Sequence, residues 1–90
     1  MTQVMLVDDD RELLEVYEKI FELNGFDVIS CENGQKALEV MENTQVAVVV
    51  SDIIMPKMNG MQLLRQIKQK SAFTEVIMLT AEGSISGAVE

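Results

Sequence analysis

The ninety residues contain no histidine, no tryptophan, one cysteine and one proline. Without histidine, and with Cys31 as the only thiol, a zinc or iron site has no ligand set to draw on. A single cysteine excludes an internal disulfide and fits a reducing compartment. Basic residues are scarce too: seven Lys and Arg stand against fifteen Asp and Glu, for a net charge of −8. That balance argues against nucleic acid or an anionic membrane surface as a partner of this segment. No apolar run is long enough to span a bilayer, and Thr2 and Gln3 lead straight into a strand-like run without a leader pattern. The expectation is a soluble, cytoplasmic segment. What is present is ordinary for a folded domain, with 48% apolar and 24% charged residues. A chain this short buries only ~60–65% of the surface that its unfolded form exposes, so its core is thin.

Strand and helix patterns alternate along the chain. QVMLV (Gln3–Val7) is a short apolar run that ends in three aspartates. Leu13, Leu14, Tyr17, Ile20 and Phe21 then recur at helical spacing, with Asp10 placed to cap the start and Gly25 to end the helix just after Asn24. FDVIS (Phe26–Ser30) reads as a strand, and Ala37, Leu38 and Met41 mark a second helix. VAVVVS (Val46–Ser51) reads as a strand buried on both faces. Gly60 opens a third helix carrying Met61, Leu64 and Ile67; EVIMLT (Glu75–Thr80) is a fourth strand, and GSISGAVE begins a fourth helix. Such alternation predicts a parallel α/β sheet with helices on both faces.

In such a sheet ligands bind at the edge formed by the strand C-termini. Asp8 and Asp9 follow the first strand, Asp52 the third, and Thr80 ends the fourth. Each piece alone is bland, since aspartates after strands commonly cap helices or shape turns. Their joint placement is less so. Two carboxylates ~4 Å apart repel by about 4 kcal/mol at an effective dielectric near 20, so a cluster of three calls for a proton or a cation. Oxygen ligands alone favour a hard ion, Mg²⁺ above all.

These residues resemble the receiver domain of bacterial two-component response regulators. MLVDDD is similar to that family's first strand and acidic pair. SDIIMPKMNG is similar to its phosphoacceptor loop, with Pro56 four and Gly60 eight residues after Asp52, and IMLTAE to the strand that carries its switch hydroxyl. The resemblance covers residues 1–90 and implies a flavodoxin-like doubly wound parallel sheet of strand order 2-1-3-4, the arrangement known for receivers of this family. It implies that Asp52 takes a phosphoryl group from a phosphohistidine of a histidine kinase or phosphotransfer protein. It further implies that Asp9 ligates Mg²⁺ directly and Asp8 mainly through water, that the Ile54 backbone carbonyl is a further ligand, and that Mn²⁺ can substitute. Thr80 would hydrogen-bond the phosphoryl oxygens and Ala81 would leave access. Such a module is a signalling switch whose only catalysis is its own phosphorylation and dephosphorylation.

The family's lysine and aromatic switch residue, on or near a fifth strand, have no counterpart here, and the fifth strand and fifth helix are absent from this chain. The expectation is a receiver domain incomplete at its C-terminus, whose exposed fourth strand invites a dimer, with exchange of the terminal segment as one way to form it. Two other functions compete. One is an interaction module that is never phosphorylated. The other is a haloacid-dehalogenase-type phosphatase, which also uses a strand-end Asp and Mg²⁺.

Overall fold

A computed structural model describes residues 2–79 of the chain. Thr80, Ala81 and the fourth helix expected after Gly83 lie outside the described residues. Seven elements follow in order: β1 (Gln3–Val7), α1 (Arg11–Leu23), β2 (Asp27–Cys31), α2 (Gly34–Asn43), β3 (Val48–Asp52), α3 (Gly60–Lys70) and β4 (Glu75–Leu79). All strand pairs are parallel, and the sheet order is β2-β1-β3-β4. The alternating pattern predicted the parallel sheet, and the order is the doubly wound one that the family resemblance implied.

Side chains on a strand alternate between faces, so the sheet carries two cores. Val4, Leu6 and Val50 meet Leu14, Tyr17 and Phe21 of α1 on one face. Met5, Val7 and Val49 meet Ala37 and Leu38 of α2 and Leu63 and Ile67 of α3 on the other. The central strands β1 and β3 serve both layers, which is why they read as unbroken apolar runs.

The helix starts are built locally. Asp10 accepts the N–H groups of Glu12 and Leu13, satisfying donors that the first turn of α1 leaves free. Asn59 and Gln62 form a reciprocal capping box at α3, which periodicity alone did not show. Gly25 ends α1 as expected, with φ at +91°.

Two strands are offset from their expected bounds. β2 begins at Asp27 because Phe26 folds back onto the last turn of α1: its N–H donates to the Phe21 carbonyl, and the two rings meet edge to face, 5.9 Å apart. β3 begins at Val48 because the Val46 carbonyl accepts the hydroxyl of buried Thr74 instead of a ladder partner. At its other end β3 runs through Asp52, which pairs in register with Leu79. Asp52 is therefore the last rung of the ladder and does not lie beyond it.

Candidate functional site

The strand order reverses between β1 and β3, and the crevice beyond the C-terminal ends of those strands is where doubly wound sheets bind ligands. Asp8 and Asp9 leave β1 there, and Asp52 ends β3 there. One carboxylate oxygen from each lies within 4.8 Å of the others. The cluster inferred from the sequence is thus a real juxtaposition for these three residues. Ile54, two positions past Asp52, is 70% exposed at the rim. Thr80 lies outside the described residues.

The three carboxylates differ in setting. Asp8 is buried, with 6% of its surface exposed, and its Oδ1 accepts the Asp10 N–H at 2.9 Å. Asp52 is half-buried and Asp9 exposed. Burial holds the Asp8 carboxyl above its ordinary value of 3.8; the charges of Asp52, Asp9 and Asp10 push the same way, and the Asp10 N–H opposes them. The crevice thus holds more negative charge than its own hydrogen bonds offset. Three oxygen donors on one side, with neither histidine nor a thiol in the cluster, fit a hard divalent cation.

A stability test follows from Asp8. Its folded form keeps a proton to higher pH than the unfolded chain does, so this contribution is full below about 3.8 and is lost as pH rises through the raised value. In EDTA, Asp8→Asn should melt with the wild type in acid and above it near neutrality, the gap opening as pH rises. Asn keeps an oxygen for the Asp10 N–H. A gap that stays flat across that range would show that Asp8 carries no such penalty.

The loop after Asp52 is tied back to the sheet. The Ile53 N–H donates to the Leu79 carbonyl at 3.1 Å, and the Gly60 N–H to the Ile53 carbonyl at 2.7 Å. Pro56, Lys57 and Met58 form a three-residue turn, closed by a Met58 N–H to Pro56 carbonyl bond of 2.8 Å, with Lys57 at φ +69°. Gly60 is needed for its lack of a side chain. A β-carbon there would overlap the Asp52 carbonyl oxygen and lie 2.9 Å from the Ile53 Cα and the Met78 sulfur. The sequence marked Gly60 by its spacing from Asp52 but not the atom it must avoid. Arg11 and Glu32 form an exposed ion pair between the start of α1 and the turn after β2, of small worth to stability.

The fold and the crevice define a class: a doubly wound α/β protein with a cluster of three carboxylates at its switch point. Comparison with known proteins narrows it. Residues 4–90 match the family model described as the response regulator receiver domain. The transcriptional regulatory protein CpxR of Escherichia coli K12 is 40% identical over 84 residues, covering 93% of this chain and 35% of that protein. The CpxR homolog of Haemophilus influenzae is 43% identical over 83 residues, covering 92% and 36%. A crystal structure of a response regulator receiver domain protein from Clostridium thermocellum superposes with a TM-score of 0.87 at 30% identity, covering 99% of this chain and 72% of that one. The chain belongs to the response regulator receiver domain family. It spans about a third of the length of these curated relatives.

Proposed function

We propose that this chain is the phosphoacceptor module of a two-component system, in which Asp52 takes a phosphoryl group from a histidine kinase or phosphotransfer protein in the cytoplasm of a bacterium. The observation that supports it best is the convergence of Asp8, Asp9 and Asp52 at the switch point of a receiver-family sheet. Asp9 and Asp52 would hold Mg²⁺, or Mn²⁺ in its place, together with the Ile54 carbonyl, and Asp8 would hold its water. A bound divalent cation supplies charge neutralisation between Asp52 and the incoming phosphoryl group. The rest is positioning, because phosphoryl transfer leaves a protein little covalent chemistry to perform. A carboxylate oxygen of Asp52 attacks phosphorus in line with the leaving imidazole; an O–P bond forms, the N–P bond breaks with its electron pair returning to nitrogen, and the ring, already protonated on its other nitrogen, leaves as neutral imidazole.

The partner must bring its histidine onto Asp52, so it must also cover the elements around it. Leu13, Val16 and Ile20 on the outward side of α1, and Ile54 at the rim, expose apolar surface for that contact. Thr80 would steady the phosphoryl oxygens. The module is a switch and acts on no separate substrate. Family membership speaks for this reading over the phosphatase alternative.

The reading is tested by incubating the full-length protein with acetyl phosphate, with Mg²⁺ or EDTA, and following labelling on a Phos-tag gel. Metal-dependent labelling is the expected result. Intact Mg²⁺ binding without labelling would identify an interaction module instead. Asp9→Ala should weaken Mg²⁺ by at least about tenfold in calorimetry, since a direct ligand is lost. Equal affinity in the two proteins would remove Asp9 from the site.

A further inference from the structure

The loop between β3 and α3 poses an accounting question. Among the described residues, no backbone hydrogen bond joins Ile54, Met55 or Pro56 to another element; the ties sit at Ile53 and Gly60, at its ends. Side chains must hold its middle. Met55 is buried in the core beneath. Met58 is half-buried at the margin of that same core. Its side chain lies flat across Gly34, the first residue of α2: a β-carbon on Gly34 would be 2.8 Å from the Met58 sulfur, 3.3 Å from its Cγ and 3.4 Å from its Cβ. Three successive atoms of one side chain thus fill the place of the side chain that Gly34 lacks. The left-handed Lys57 immediately before it, a conformation costly for a residue other than glycine, sets the chain direction there.

We infer that Met58 is a positioning residue for the site: wedged on Gly34, it fastens the loop that follows Asp52 to the first turn of α2. The inference rests on the proposal that this loop serves the phosphoacceptor. A thioether suits the task because it is unbranched and fills an irregular gap well. With the wedge in place, the stretch carrying the Ile54 carbonyl is fixed at its middle as well as at its ends. Without it, that stretch must be ordered each time a cation binds.

The test uses the full-length protein with Met58→Ala, Met58→Leu, Gly34→Ala and the double variant. Met58→Ala should speed amide exchange at Ile53 and Gly60, the hydrogen-bonded amides at the two ends of the loop, by about tenfold in metal-free protein, the mark of local opening. It should raise the Mg²⁺ concentration for half-saturation by at least about threefold, in the manner of a lost supporting contact. The labelling rate at saturating Mg²⁺ should stay within about twofold, because the reacting groups are untouched. Met58→Leu, close in volume, should restore both quantities. Gly34→Ala should disturb the same amides by crowding the sulfur, and the double variant should be non-additive because the new β-carbon takes the vacated space. Wild-type exchange and Mg²⁺ affinity in Met58→Ala, or additive effects in the double variant, would overturn the wedge. Wild-type protein that neither binds Mg²⁺ nor labels would instead sink the proposed function, and the exchange measurements would still decide the role of Met58.

Discussion

Labelling by acetyl phosphate, or by a phosphorylated kinase, is expected to vanish in Asp52→Asn. The amide is nearly the same shape as the carboxylate but has no anionic oxygen to attack phosphorus. Asp8 cannot take over, since it is buried and its carboxylate already holds the Asp10 N–H. Asp9 is exposed, so the experiment must discriminate between Asp9 and Asp52. Mass spectrometry of the borohydride-trapped product would locate the acceptor. Loss of labelling should come without loss of fold, because replacing one of three clustered carboxylates removes repulsion from the crevice. The metal-free variant should therefore melt no lower than the wild type. Undiminished labelling of Asp52→Asn would show that another residue accepts the phosphoryl group.

Gly60→Ala is expected to produce the largest change in stability. The added methyl group has no free space: it meets the Asp52 carbonyl oxygen, the Ile53 Cα and the Met78 sulfur. The sulfur can swing away, but the backbone atoms can move only by pulling β3 out of register with β4. Overpacking a tight site of this kind costs about 2–3 kcal/mol. For a domain of this size that corresponds to a fall of roughly 10–20 °C in melting temperature. Adding Met78→Ala should recover little, because the backbone overlap remains. Labelling at Asp52 should fall even below the melting transition, since the displaced strand end is the one that carries the acceptor. A melting temperature within about 2 °C of wild type would mean that the loop yields more easily than its hydrogen bonds suggest.

Much of this was legible in the chain itself. The parallel α/β sheet followed from alternation, since strand-like apolar runs and one-faced helices succeed each other, and the strand order followed from the family resemblance. The acid cluster followed from the topology rule, since Asp8, Asp9 and Asp52 all stand at strand C-termini. The elements that slipped did so through long-range competition. Val46 looked like strand but gives its carbonyl to Thr74, a residue 28 positions away, and no local pattern signals that bond. Phe26 looked like the start of a strand but packs on Phe21. The contacts of Gly60 with Asp52, and of Met58 with Gly34, join residues whose types are suggestive but whose meeting requires the fold. The methionines divide likewise: Met5 and Met55 are core, whereas Met61, which the periodicity placed on the apolar stripe of α3, is 44% exposed.

The register of β3 limits how such a chain can change in length. Ser51 is wholly buried and Asp52, next on the ladder, points to the crevice side of its strand end. Adding or deleting one residue between Val48 and Asp52 would exchange the two faces, sending a carboxylate into a dry interior and a hydroxyl to the pocket. Lineages of this sequence should therefore tolerate gaps in the turn around Ala72 and Phe73, at the far edge of the sheet, and almost none within the five residues of β3. A library of single-codon insertions, scored for folded protein, would show that rhythm directly as a silent stretch ending at Asp52.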